Sequence, residues 1–337
     1  MVYKLVQVGL GAHGMGIAEN VIISSTDFSL VGLVDIDSGR VKQCAEALRV
    51  PPEGCFTDYE EAFKNLDVDA VFIAVISPLH YAICKSALNY GLHVMIEKPF
   101  TVTMEQAKEL TALAKMKNLK ITVNQNYRFF PTVLTAKNAL DCNLLGKPLF
   151  ANTQFFFCHD GKTYQRKMEN YMLMEMAVHH IDMIRYLFSS NVISVSGKTW
   201  NVPESGYVGD PNVQASYELE NGISTFYIGS LLSKGHVTPW EGSWRIQCEN
   251  GSIHIDDMGQ GHGVYVVNDH GASSKLALLQ PEQESVDAVL ADFAAAIRED
   301  RDSSTSGNDN LYTMAALIAT STSSKIHSPV LLASLLQ

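Results

Sequence analysis

The chain has 337 residues, enough for two domains and too many for one comfortable core. With 46% hydrophobic and 18% charged residues it reads as an ordinary soluble globular protein, and a net charge of −11 argues against nucleic acid or an anionic membrane as partner. No apolar run reaches the roughly 20 residues that span a bilayer, and the six cysteines show neither CxxC nor zinc-like spacing. A strand opens the chain with no secretory leader ahead of it, so a cytoplasmic protein with reduced core cysteines and no metal is expected.

The alternating apolar run Val2–Val8 leads directly into Gly9-Leu10-Gly11-Ala12-His13-Gly14. In such a turn Gly9 permits the bend, Gly11 lets backbone approach a pyrophosphate, and Gly14 lets the following helix pack close to the strand. That helix offers unpaired N–H groups and its positive dipole end to phosphates. With 23 glycines in the chain, a lone GxGxxG is a weak signal. Here it follows a strand, opens a helix, and precedes a second strand, Leu30–Val34, that ends in Asp35. An acid roughly 20 residues beyond the glycines is placed to hold the adenosine ribose hydroxyls. Dinucleotide binding outweighs a purely structural glycine turn, with Ala12, His13 and Ile36 beside the cofactor.

Strand and helix then alternate to about residue 123. Residues 38–49 read as a helix capped by Ser38, with Val41, Ala45 and Leu48 on one face. A helix at Tyr59–Asn65 precedes Ala70–Ile76, a continuous apolar run suited to a strand buried on both faces. It stops at Ser77-Pro78, and His80–Tyr90 reads as a helix closed by Gly91. His93–Ile96 is another buried strand, ending in Glu97-Lys98-Pro99; Met104–Lys117 is helical and Lys120–Val123 is a strand. This order predicts a doubly wound parallel sheet over residues 1–123, with ligands outside the strands' carboxyl ends, where Asp35, Ser77 and Lys98 fall.

Beyond Asn124 the pattern changes. Residues 149–157, 192–200, 213–220, 222–230 and 244–256 are strand-like, and Asn221-Gly222 and Asn250-Gly251 are hairpin signals. The expectation is an α+β second domain over 124–337 for substrate binding and oligomerisation, with a mostly antiparallel, open-faced sheet and last helices free to pack back on the N-terminal domain. A helix is inserted near 172–188, further helices fall at 283–299 and 310–325, and a polar loop lies at 301–308. On the inserted helix Glu175, His179 and Asp182 share one face, whereas Leu173, Ala177, His180, Ile184 and Leu187 form the core stripe. His179 is therefore read as functional, and His180 as a hydrogen-bonded core histidine. The methionines at 168, 172, 174 and 176 are core filler, and Trp200, Trp240 and Trp244 are packing residues before they are sugar platforms.

A run of collinear motifs resembles the glucose–fructose oxidoreductase / inositol dehydrogenase / MocA family. Beside the glycine turn and Asp35 it includes Thr57–Glu61, Val68–Val71, Ser77-Pro78-Leu79-His80 and, most specifically, Gly91-Leu92-His93-Val94-Met95-Ile96-Glu97-Lys98-Pro99. Asn126–Pro131, Leu145-Gly146-Lys147-Pro148, His179–Asp182 and Ser306–Leu311 continue it. The resemblance implies a Rossmann domain followed by an open-faced sheet domain, with NAD or NADP held between them. It implies a sugar, inositol or related polyol as substrate. By position, Lys98 matches the lysine of the family's Glu-Lys-Pro motif and His179 its catalytic histidine; Glu175 stands where members usually carry aspartate, and Ala177 where glycine is common.

These roles agree with the chemistry. Removing a hydride from a carbinol carbon requires a base for the hydroxyl proton, and a histidine titrating near neutrality suits it. Lys98, a lysine at a strand end, stabilises a developing alkoxide and touches both cofactor and substrate, and Glu175 orients the histidine or binds a second hydroxyl. Ser77, Pro78 and His80 lie where the nicotinamide ribose passes, with helix capping as the second role for His80; Glu97 belongs to the same cofactor set. Asn126, Arg128, Tyr164 and Arg166 are substrate-side candidates. Asp35 favours NAD by repelling a 2′-phosphate, while Arg40 leaves NADP as the alternative. The leading expectation is an NAD(P)-dependent dehydrogenase or reductase with Lys98 and His179 as acid/base pair. The alternatives are a glycoside hydrolase or isomerase using bound NAD as a transient redox centre, and a non-catalytic dinucleotide sensor. An uncovered sheet face in the second domain favours a homodimer or homotetramer.

Overall fold

A computed structural model describes residues 2–159, 161 and 163–337. The chain divides into two compact units, residues 1–126 with 283–311, and 127–282 with 312–337. The first unit thus reclaims residues 283–311 from the C-terminal part of the chain.

The first unit is a six-stranded sheet of β1 (Tyr3–Val8), β2 (Phe28–Val34), β3 (Cys55–Phe56), β4 (Ala70–Ile73), β5 (His93–Ile96) and β6 (Ile121–Val123). The spatial order is β3-β2-β1-β4-β5-β6, and every pairing is parallel. The crossovers are α1 (Ala12–Ile17), α2 (Ser38–Leu48), α3 (Tyr59–Asn65), α4 (Ser77–Asn89) and α5 (Met104–Met116). Strands β4 and β5 are buried almost throughout, which is why they read as unbroken apolar runs. The order reverses between β1 and β4, so the carboxyl ends of those two strands flank the ligand crevice of a doubly wound sheet.

The second unit is built on a nine-stranded sheet. It contains α6 (Pro131–Asp141), β7 (Pro148–Phe156), α7 (Thr163–Arg166), α8 (Val178–Phe188), β8 (Val192–Trp200), β9 (Asn212–Leu219), β10 (Ser224–Ser230), β11 (Ser243–Cys248), β12 (Gly251–Asp257), β13 (His262–Asn268) and β14 (Ser273–Lys275). Helix α9 (Ser285–Arg298) belongs to the first unit, α10 (Gly307–Ile326) runs from one into the other, and β15 (Val330–Leu331) and α11 (Ala333–Leu336) end the chain. The sheet order is β14-β13-β12-β11-β7-β10-β9-β8-β15, and only β7–β10 is parallel. Both predicted hairpins form, with Gly222 at φ +84° and Gly251 at φ +144°. One sheet face is apolar and buried, with Ala151, Phe155, Val213, Tyr217, Trp244 and Ile246 in the core. The other presents Phe150 and Phe226 among polar residues, each more than 40% exposed.

Several boundaries differ from the sequence reading. Asp37 rather than Ser38 caps α2, its carboxylate accepting from Arg40 N–H at 3.1 Å. The strand expected over 70–76 ends at Ile73, and α4 starts at Ser77 because Pro78 suits a first helical turn. Helix α6 and strands β13 and β14 are additional to the expected elements. Of the six cysteines, 44, 84 and 248 are buried, 55 is intermediate, and 142 and 158 are exposed, so Cys158 is not a core residue.

The expected single helix over 172–188 is two pieces, a π-helical turn at Leu173–Ala177 and then α8. The wider turn breaks the i,i+4 relation assumed for Glu175 and His179. Nearly all of α8 is buried, and Asp182 does not share an open face with them: it is 1% exposed and bound by Arg128. Arg128 donates Nε to Oδ2 at 2.6 Å and Nη2 to Oδ1 at 2.7 Å. Thr313 donates to the same Oδ1 at 2.9 Å, and Arg185 bonds Thr313 and Asn191. A bidentate, fully satisfied pair is the arrangement in which two buried charges recover their desolvation cost. Arg128→Met leaves Asp182 charged and underbonded in the core. It is expected to lower stability by about 3–5 kcal/mol, measured as a shift in the denaturant midpoint of the second unit's unfolding.

Candidate active site

The cofactor cradle is built at the end of β1. Gly9 has φ +99°, and a Cβ there would lie 2.4 Å from the Ala74 carbonyl oxygen. A Cβ on Gly14 would lie 2.4 Å from the Gly9 carbonyl oxygen, so the helix start is pressed directly onto the turn. Gln7, fully buried, donates Nε2 to the carbonyls of Gly9 and Gly14 at 3.1 and 2.8 Å. Gly11 is different: it is exposed, and nothing lies within 4 Å of the Cβ it lacks. The cradle is therefore closed on its protein side by Gly9 and Gly14 and open at Gly11, which fits a pyrophosphate lying against bare backbone.

Asp35 lies at the end of β2 with its side chain 8% exposed. Its carboxylate accepts from Leu10 N–H at 2.9 Å and Asp37 N–H at 3.0 Å, fixing it beside the glycine turn. Arg40 also folds onto it, Nη1 to the two oxygens at 3.1 and 3.2 Å. The arginine that could have received a 2′-phosphate is thus engaged by the carboxylate that would repel one. Ile36 is 93% exposed and Ile76 is 44% exposed. Solvated isoleucines beyond the ends of β2 and β4 suit the faces of a flat heteroaromatic ring. Ile76 was not singled out from sequence; an apolar residue continuing past a strand end was the available signal.

On the other side of β1, Glu97 ends β5. Its Oε1 accepts from Asn124 Nδ2 at 2.6 Å and lies 3.0 Å from His13 Nε2, while Oε2 accepts from Lys98 N–H at 3.2 Å. Burial pushes its pKa up, but His13, Lys98 and Asn124 outweigh burial and hold it below the usual carboxylate range. Lys98 is partly exposed at the strand end. Asn124, the first residue past β6, was missed as a site residue, although its place at a strand's carboxyl end was a signal. Ser77 and Pro78 form the first turn of α4 and are accessible. His80 is not: it is completely buried, with Nδ1 2.9 Å from Pro99 O and Nε2 3.1 Å from Val75 O. Burial lowers its pKa. It ties the strand-end loops together and is neither an open cofactor contact nor a helix cap.

In the second unit, His179 is 5% exposed and stacks on Tyr127, ring centroids 4.0 Å apart and planes at 7°. Glu175 lies in the π turn and is partly exposed. Burial and the Glu175 charge together raise the pKa of Tyr164 and Tyr171, placing that carboxylate among phenols. Tyr171 OH bonds His159 Nδ1 at 2.6 Å and stacks on Tyr207, whose hydroxyl donates to His159 O. Arg166 donates Nε to Gly161 O at 2.9 Å and lies over the Tyr207 ring, and Tyr164 is exposed. His180 behaves as expected for a core histidine: Nε2–H donates to Trp240 O at 2.9 Å, and Nδ1 accepts from Tyr227 OH at 2.9 Å. Burial takes it down to about 4. Arg128 leaves the substrate-side set because Asp182 engages it, and Asn126, in the first unit, donates to Ser285 Oγ at 2.8 Å.

A parallel doubly wound sheet with an open glycine cradle, followed by a mostly antiparallel sheet domain carrying a buried histidine helix, defines a two-domain nicotinamide-dependent oxidoreductase. The chain belongs to the Gfo/Idh/MocA family: residues 3–125 match its oxidoreductase NAD-binding Rossmann domain, and 133–254 match its C-terminal domain. It is 25% identical over 309 residues to D-apiose dehydrogenase of Paraburkholderia graminis, covering 86% of this chain and 80% of that one. It is 27% identical over 229 residues to scyllo-inositol 2-dehydrogenase (NAD(+)) of Bacillus subtilis, covering 64% of each. Its fold matches that of an Agrobacterium radiobacter oxidoreductase crystallised with NAD+, L-tartaric acid and magnesium, with a TM-score of 0.89 at 20% identity over 99% of this chain and 100% of that one. The protein is an NAD-binding oxidoreductase.

Gly11 supplies a direct test of the cradle. Its backbone, φ −60° and ψ 170°, is accessible to any residue, and its missing side chain faces open space. Gly11→Val is expected to leave the thermal midpoint nearly unchanged while weakening NAD binding at least about tenfold, since the branched side chain occupies the pyrophosphate's approach; calorimetric titration with NAD checks it.

Proposed function

We propose that this enzyme moves a hydride between NAD and a secondary alcohol or ketone of a sugar, inositol or related polyol, with Lys98 and His179 as the acid/base pair. The observation that carries the reading is His179: an imidazole buried to 5% exposure and held flat against Tyr127. When bound, NAD supplies the ring that accepts or returns the hydride. The remaining work belongs to the chain's own side chains. His179 takes the proton of the reacting hydroxyl and returns it in the reverse direction. Lys98 lends positive charge to the oxygen as the proton leaves, its strand end held by Glu97 and by the His80 contact to Pro99.

Glu175 and the phenols around it are proposed to receive the remaining hydroxyls, with Tyr164 and Arg166 beside them. The names of the apiose and inositol dehydrogenase relatives support this substrate class. Asp35, with Arg40 folded onto it, supports NAD over NADP.

The decisive experiment is a panel of inositols, aldoses, their lactones and glycosides, followed by NAD and NADP reduction at 340 nm. Lys98→Ala and His179→Ala are each expected to lower kcat by at least about 100-fold, the scale of a lost acid–base group, with NAD affinity nearly unchanged. Wild-type turnover in either variant would overturn the assignment, and product formed without net NADH would move it to transient-redox chemistry.

We further propose that the open sheet face carrying Phe150 and Phe226 pairs with a second copy of the chain, giving a dimer or tetramer. Phe226→Asp is then expected to reduce the mass measured by light scattering to that of a smaller species.

A further inference from the structure

We propose that the His13–Glu97 pair sets the relative affinity of the site for oxidised and reduced cofactor. The inference rests on NAD binding by the first unit and is independent of the polyol substrate and of the Lys98/His179 assignment.

A dinucleotide on a doubly wound sheet lies across the carboxyl ends of the strands, its two halves on either side of the switch point. Asp35 at the end of β2 marks the adenosine half. Glu97 at the end of β5 is therefore the carboxylate of the nicotinamide half, 7% exposed and committed through Oε1 to His13 and Asn124 and through Oε2 to Lys98 N–H. His13 belongs to the glycine turn itself, and its side chain is 68% exposed. The oxidised nicotinamide ring carries a positive charge that the reduced ring lacks. A fixed carboxylate on that half favours the oxidised form, because little water is present to screen it.

The neutral His13 imidazole can donate Nε2–H to Glu97 and leave the carboxylate's charge in place. The imidazolium makes the same hydrogen bond and cancels that charge. The other groups facing Glu97 are Lys98 on the same strand end, Asn124 just past β6, which carries no charge, and His80 from α4, whose pKa burial lowers. Adenosine and pyrophosphate are common to the two cofactor forms, so any effect of His13 on them disappears from the ratio of dissociation constants.

The test is calorimetric titration of the full chain with NAD+ and with NADH at about pH 6 and about pH 8.5, on either side of the usual histidine range. In the wild type, Kd(NADH)/Kd(NAD+) is expected to be several-fold larger at the higher pH. His13→Asn keeps a donor without a titrating charge and is expected to hold the high-pH ratio at both. Glu97→Gln is expected to lower the ratio about tenfold at the higher pH and to abolish its pH dependence, a charge–charge effect of ordinary size at short range. A wild-type ratio that does not change with pH, or a His13→Asn variant that keeps the wild-type pH dependence, overturns the proposal. If Glu97→Gln fails to give a cooperative thermal melt, the exposed His13→Asn variant decides alone.

Discussion

The constraint on which the structure depends is the absence of room for two Cβ atoms at the end of the first strand. Gly9 and Gly14 pack against each other and against Ala74 so closely that any side chain would sit well inside contact distance of a carbonyl oxygen. This contact brings the first helical segment down onto β1 and leaves Gly11 facing outward with bare backbone. Gln7 locks the arrangement from below, donating to the carbonyls of both Gly9 and Gly14. The neighbouring strand ends then hold their carboxylates by reference to this turn, Asp35 through Leu10 N–H and Glu97 through His13.

Each unit uses a buried carboxylate to position a group that it does not itself supply. Glu97 gathers the glycine turn, the strand end before Lys98, and Asn124. Asp182 gathers Arg128, Thr313 and, at longer range, Arg185, and so fixes the helix that presents His179. Burial disfavours both charges, but every oxygen has a donor, and that separates a rigid tie from an unstable core. The π turn ahead of α8 serves the same end by letting Glu175 leave the buried helical face and enter a cluster of phenols.

Much of the fold was legible without coordinates. Parallel strands buried on both faces must be continuous apolar runs, so β4 and β5 were visible, and Gly222 and Gly251 marked their hairpins through a backbone geometry that other residues avoid. Helix α6 was harder to see because its apolar face is interrupted by threonines that hydrogen-bond within the core; Thr132 binds the buried Glu241 at 2.6 Å. In the site, Gly9, Gly11, Gly14 and Asp35 could be placed because their roles depend on backbone and sequence spacing. His80, Arg128 and Asp182 could not. A polar residue in a helix or loop looks the same in sequence whether it faces a ligand or a buried partner 54 residues away, as Arg128 faces Asp182.

The sequence by itself determined the class of fold, the dinucleotide cradle, and His180 as a hydrogen-bonded core histidine, because each follows from local periodicity or from what glycine alone permits. Only the tertiary structure decided which polar side chains were left for chemistry. It paired Arg128 with Asp182, sealed His80 between two carbonyls, folded Arg40 onto Asp35, and joined His13 to Glu97 across 84 positions of chain. The reason is physical: a charge or an imidazole takes its function from its nearest partner and its access to water, and long-range packing sets both.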